Sequence, residues 1–201
     1  FRRVLFRSKN AEGITVLDDI DFASLSNVEV TSGPSWTLNG LAIAGVVQLK
    51  TKTAAPGQTS LAQNVMVGDF GLRRYTTTFN MGIKNANLMV NYGSQSSDGY
   101  MAHTASTKKF VNVMSEYRPN EREKISTYFG YADSYDERGG ELTIEQYEAG
   151  DYSGNPNYIK NNAHSAVIRF RAGLNYNNII NKNLVSSTSI FGSGASVNTA
   201  S

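Results

Sequence analysis

The chain has no cysteine among its 201 residues, so neither a disulfide frame nor a thiolate metal site is open to it. It has two histidines, His103 and His164, without the Glu-x-x-His or His-x-x-x-His spacing that seats a metal. Both are expected as exposed residues of two separate loops. No apolar run approaches the about 20 residues of a membrane helix, so any crossing of a bilayer must be by alternating strands. Charge of one sign is also missing. The 19 basic and 17 acidic residues are interspersed and leave +2, which gives nucleic acid no basic stripe to bind. Neither Gly-x-Ser-x-Gly nor the calcium-loop pattern Asp-x-Asn-x-Asn-Gly occurs. No catalytic residue, metal or cofactor is therefore assigned, and the chain is not expected to be an enzyme.

Proline is scarce, at 4 residues, whereas 18 glycines, 11 tyrosines and 9 phenylalanines suit strands joined by turns. The residues bear this out from about position 56 onward, where the period becomes two. Tyr75, Thr77, Phe79, Met81 and Ile83 alternate with Thr76, Thr78, Asn80 and Gly82. Ile125, Thr127, Phe129 and Tyr131 alternate with Ser126, Tyr128, Gly130 and Ala132. Ile168, Phe170, Ala172, Leu174 and Tyr176 alternate with Arg169, Arg171, Gly173 and Asn175. Less regular strands are expected at 59–70, 87–96, 108–118 and 183–192. Seven strands result, most near the about 9–11 residues that a tilted membrane strand needs.

The connections alternate too. Asn85-Ala86, Arg118 to Arg122 and Asn177 to Lys182 are read as short turns, 97–107 and 134–166 as longer loops, and the link near Gly71 to Arg74 as short. Short turns on one side and longer loops on the other characterise outer-membrane barrels. Tyr75 and Tyr131 then fall at the outer ends of the outward columns, and Tyr117 and Tyr176 at the inner ends, as interfacial aromatic girdles do. Gly192-Ser193-Gly194-Ala195-Ser196 lacks the third glycine and helix of a dinucleotide motif and reads as a loop or frayed end.

The stretch before these strands is the most specific. Val28-Glu29-Val30 alternates as a strand, Gly33-Pro34 breaks it, Ser35 and Gly40 follow, and Gly45-Val46-Val47-Gln48-Leu49 leads to Lys50-Thr51-Lys52. In this register Glu29, Gly33, Pro34, Gly40, Gly45 and Lys52 resemble the end of the plug domain of TonB-dependent outer-membrane receptors. Two departures stand out. Thr31-Ser32 occupies the place before Gly-Pro where the family often has a basic residue, and Asn39 replaces an aromatic, with Trp36 displaced upstream.

The resemblance implies an all-β, mainly antiparallel fold: a partial transmembrane β-barrel preceded by the C-terminal part of a plug. Residues 1–8 back-translate in frame to a common sequencing-library adapter and are set aside as non-native. Residues 9–55 are expected to be the end of the plug, with 53–57 as linker, and 56–201 the first seven or so strands of a truncated barrel.

By the same resemblance the function is TonB-energised uptake of a scarce solute, foremost a ferric siderophore, at the outer membrane of a Gram-negative bacterium. The partners implied are the TonB complex, through a segment absent from this chain, the small-molecule chelate and outer-membrane lipid. Three alternatives stay open: a glycan-importing receptor of the same family, a soluble all-β binding or adhesion module, and a carbohydrate-active enzyme using the acidic loop.

Within that frame Arg169 and Arg171 face the lumen of the sixth strand and are candidates for an anionic ligand, since guanidinium groups bind such oxygens bidentately. The 134–166 region gathers Asp136, Glu137, Glu141, Glu145, Glu148 and Asp151 with Arg138, Tyr147 and Tyr152, a composition suited to capturing a polar ligand, and 141–148 reads as a short helix. Glu116, on the lumen side near the inner end of its strand, is a candidate contact to the plug.

Overall fold

The computed structural model describes residues 24–33 and 45–201, which form two antiparallel sheets and two short helices. In the smaller sheet β1 (Leu25–Ser32) pairs with β2 (Gly45–Thr51), placing Val30 opposite Val47 and Glu29 opposite Gln48. Lys50 Nζ meets Glu29 Oε2 at 3.1 Å on this surface, an ion pair of small energetic weight. Gly33 takes φ +95° at the end of β1, a conformation that glycine adopts without a Cβ clash, so the chain turns there. Pro34, Ser35, Trp36, Asn39, Gly40 and the adapter-like residues 1–8 lie outside the described residues.

The larger sheet is a seven-stranded meander in sequence order. Its strands are β3 (Thr59–Val67), β4 (Arg73–Ile83), β5 (Ala86–Ser97), β6 (Ser106–Tyr117), β7 (Glu123–Glu137), β8 (His164–Asn181) and β9 (Leu184–Ala200). All seven expected strands are present. Between β7 and β8 lie α1 (Ile144–Ala149) and α2 (Pro156–Lys160), where the sequence suggested one helix. Among the described residues no helix is long and apolar enough to cross a membrane.

The two faces of this sheet have opposite chemistry, and the polar face is the buried one. One cross-strand row on it runs Thr78, Asn91, Asn112, Gly130, Arg171 and Ser193. Thr76, Ser126 and Asn175 are buried on the same face. The exposed face carries rows such as Phe79, Val90, Val113, Phe129 and Ala172, or Ile83, Ala86, Tyr117, Ile125 and Tyr176. A sheet folding in water buries its apolar face, whereas apolar-out and polar-in is the arrangement of a barrel wall in lipid. Lys109 and Asp133 stand opposite each other on this face in a row that also holds Tyr75 and Ile168, with Tyr92 and Tyr131 in the next row toward the short turns.

Several boundaries differ from expectation. Strands β7 and β8 reach Glu137 and His164, so Asp133, Asp136 and Glu137 belong to a strand and the loop shrinks to 138–163. Arg171 consequently lies well inside β8. Asn177 to Asn181 do not turn; they pair with Leu184 to Ser187, and the turn is Lys182-Asn183. Gly192 to Ser196 are not a loop but the middle of β9, with Gly194 opposite Phe170. Strand β3 stops at Val67, because Phe70 adopts φ +55° and the Gly68 N–H bonds Leu72 O at 3.0 Å to close a tight turn.

The linker is anchored to the sheet through glycine. The Gly57 N–H donates to Gly82 O and the Gly82 N–H to Gln58 O, each at 2.8 Å. A Cβ on Gly82 would stand 2.2 Å from Ala55 O, so the close approach of the two backbones requires its absence.

Candidate functional site

The buried polar face is the first candidate. Asn91 Nδ2 donates to Thr78 Oγ1 at 2.8 Å, and the Tyr128 hydroxyl donates to Asn112 Oδ1 at 2.8 Å, so neighbouring strands are tied by side chains as well as by backbone. Phe110 fills the space left by the missing Cβ of Gly93, which would otherwise lie 2.2 Å from the ring. The Arg74 guanidinium stands 5.8 Å from the centre of that ring.

Arg169 and Arg171 sit on this face, as their period-two register requires. Arg171 is 4% exposed and lies opposite Gly130 and Ser193, while Arg169 is half-buried opposite Ala132 and Ala195. Each is flanked by small residues, which leaves room for a guanidinium to lie along the wall. The sequence reading missed Arg74 and Lys108, which share the buried face one row beyond Arg169, in register through Gln95. Extending the alternation of 75–83 back by one step and counting outward along 108–118 from Glu116 gives both residues.

Glu116 lies at the short-turn end of the same face and is 7% exposed. Its Oε1 accepts from Arg118 Nε at 3.0 Å, and its Oε2 stands 4.0 Å from Lys124 Nζ. A buried carboxylate needs such partners, and here they come from its own strand end and from β7. The short-turn end of the buried face thus holds a paired carboxylate, and the other end holds Arg74, Lys108 and Arg169.

Arg138, Tyr147 and Tyr152 are not on this face. They belong to the connection 138–163, where Tyr147 is 67% and Tyr152 43% exposed. This connection is nevertheless well built. Thr143 caps α1 through a reciprocal box with Gln146, Gly150 ends it at φ +67°, and Asn155 caps α2 through the Asn157 N–H. Hydrogen bonds from Ser153, foremost from its hydroxyl and then its backbone N–H, hold the Asp151 carboxyl below its usual range. Backbone and Thr143 hydrogen bonds do the same for Glu145.

The histidines depart from expectation. His103 is only 11% exposed at its side chain, and its Nε2 donates to Ala163 O at 2.9 Å. His164 opens β8 and stacks on Tyr135, with ring centres 5.1 Å apart. Among the described residues no cluster of three or more His, Cys, Asp or Glu could hold a metal ion.

A meander with a polar, cation-bearing buried face, an apolar exposed face and long connections at one end defines a partial outer-membrane-type barrel. Solved structures share it. The open form of the ferric-catecholate import receptor Fiu of E. coli K12 superposes with a TM-score of 0.64 at 15% identity, over 87% of this chain and 29% of Fiu. The siderophore receptor PiuA of Acinetobacter baumannii gives 0.65 at 13% identity, over 87% of this chain and 26% of PiuA. The unliganded ferric citrate transporter FecA gives 0.62 at 16% identity, over 88% of this chain and 26% of FecA. No protein-family model matches the chain. The resemblance to TonB-dependent receptors is borne out at the level of fold, and these neighbours are receptors and transporters rather than enzymes. The chain spans between a quarter and a third of their length.

Proposed function

We propose that the chain is the end of the plug and the first barrel strands of an outer-membrane receptor for TonB-energised uptake of an anionic ferric chelate, foremost a ferric siderophore. The observation that carries this reading is the buried polar face, on which Arg74, Lys108, Arg169 and Arg171 stand in adjoining rows. An iron chelate with several carboxylate or catecholate oxygens presents the acceptors that guanidinium groups bind. Three neighbours of the same fold are receptors or transporters, named for ferric catecholates, siderophores and ferric citrate.

The protein makes and breaks no bond in this reading. Ligand captured at the loops passes to the cationic wall, where water-filled lumen and small flanking residues let it approach the guanidinium groups. Energy delivered through TonB then rearranges the plug. The β1–β2 sheet is the part of that plug described here, and its connection to the wall runs through the Gly57–Gly82 contact.

Replacing both Arg169 and Arg171 with glutamine in the full-length receptor tests this. Affinity for ferric citrate or a ferric catecholate should fall by about tenfold or more per arginine, since a hydrogen bond to a charged group contributes at least about 1.5 kcal/mol. Heat-modifiable gel mobility, which reports a closed barrel, should not change. Unchanged affinity for both probes would remove the arginines from the binding wall.

A further inference from the structure

Two connections at the same end of the sheet are built as one body. The loop 98–105 packs against the connection 138–163 and bonds near both of its ends, which are themselves joined by the Arg138 N–H donating to Ala163 O at 2.9 Å. At one end the Ala105 N–H donates to Glu137 Oε2 at 3.1 Å and the Glu137 N–H to Ala105 O at 2.9 Å. In the middle the Ala102 N–H donates to Tyr152 O at 2.9 Å. At the other end His103 Nε2 reaches Ala163 O at 2.9 Å, and because a carbonyl only accepts, Nε2 carries the proton.

The packing agrees with the hydrogen bonds. Ala163 is fully buried and Met101 is 7% exposed, although both belong to loops. A Cβ on Gly139 would stand 2.6 Å from both Ala102 O and the Met101 methyl, and one on Gly154 would stand 3.0 Å from Ala102 O. The long connection therefore closes around the short one with no space for side chains at these points. His103 itself takes φ +60°, a conformation that non-glycine residues keep only where their surroundings fix it.

We propose that His103 is a positioning residue: it clasps the two connections into a single rigid cap, so that Tyr147 and Tyr152 are presented by both loops together. The ligand-facing role of those tyrosines rests on the function proposed above, but the clasp does not, and its test needs no ligand. The imidazole supplies bulk and one N–H donor aimed at Ala163 O, with its Nδ1 3.7 Å from Glu137 Oε2, and two substitutions separate the bulk from the donor. His103→Phe keeps the bulk and loses the donor. His103→Gln keeps a donor at similar reach.

Hydrogen exchange read by mass spectrometry on the full-length receptor in outer-membrane vesicles reports the outcome. In His103→Phe, peptides covering 144–163 should exchange about tenfold faster, as local opening becomes easier, while peptides from β4 to β8 keep their protection. In His103→Gln, exchange of 144–163 should stay within about twofold of the parent protein. Unchanged protection of 144–163 in the phenylalanine variant overturns the clasp. Equal acceleration in both variants overturns the role of the N–H donor. Acceleration spread over β4 to β8 would show a stabilising residue of the wall instead, and overturns the proposal as well.

Discussion

Single residues decide where this chain can approach itself, and Gly82 is the sharpest case. A methyl group there meets backbone on the other side, Ala55 O at 2.2 Å and Ala55 C at 2.8 Å, so no rotamer change relieves the clash. Gly82→Ala must push the linker off the sheet or break the paired 2.8 Å hydrogen bonds with Gly57 and Gln58. Overpacking of this kind costs about 1–3 kcal/mol. Urea unfolding of the full-length protein in lipid should show a lower midpoint for Gly82→Ala. Gly192→Ala, where an added methyl meets nothing within 4 Å, should leave it unchanged. Neither glycine's role is marked in the sequence, where Gly82 is an ordinary member of an alternating run and Gly192 opens a stretch that reads as a loop. The arginines were legible because period two forces Arg169 and Arg171 onto one face. His103 was not, since its burial comes from a connection whose bonded residue, Ala163, is 60 residues further along the chain, and no local pattern encodes that meeting.

The strands that the sequence displays well are those whose two faces differ in chemistry. In β4, β7 and β8 the outward columns are mainly apolar and the inward ones mainly polar or small, so alternation survives without any partner strand being known. Strand β9 is the counter-example. Its outward positions include Thr188, Gly192, Gly194, Ser196 and Asn198, and its inward ones include Phe191 and Val197, so the contrast that marks a barrel strand is gone. Only the backbone pairing with β8 makes it a strand, and that pairing also carries Asn177 to Asn181 past the turn their composition suggested.

The register of β8 can be checked from its exposed side. Phe170 is 51% exposed and its ring lies over Gly194, within 2.4 Å of where a Cβ would be. Phe170→Arg puts a charge on the exposed apolar face, which for a barrel wall in lipid costs up to about 2–4 kcal/mol, and the variant should accumulate unassembled, seen as loss of heat-modifiable gel mobility. Normal assembly would mean that Phe170 faces the lumen and that the register of β8 is shifted by one residue.

For the molecule as a whole, the two ends of the larger sheet are unequal. One end has Lys84-Asn85, 118–122 and Lys182-Asn183 as connections, the last two capped by asparagine side chains: Asn120 Oδ1 accepts from the Arg122 N–H at 2.9 Å and Asn181 Oδ1 from the Asn183 N–H at 2.9 Å. The other end has 68–72, 98–105 and 138–163, with both helices and the clasped loops. In outer-membrane barrels the compact end faces the periplasm and the elaborate end the outside. The expected sidedness follows. Ser153 and Glu121 are both exposed and lie at opposite ends of the sheet, so a single cysteine at either reads it out. On intact cells producing the full-length protein, a membrane-impermeant maleimide should label Ser153→Cys and spare Glu121→Cys until the outer membrane is permeabilised. Labelling of Glu121→Cys alone on intact cells would invert the wall. The Arg74–Lys108 row would then stand at the periplasmic mouth and the Glu116–Arg118–Lys124 group at the outer one, and the arginines would no longer line the entrance that a ligand meets first.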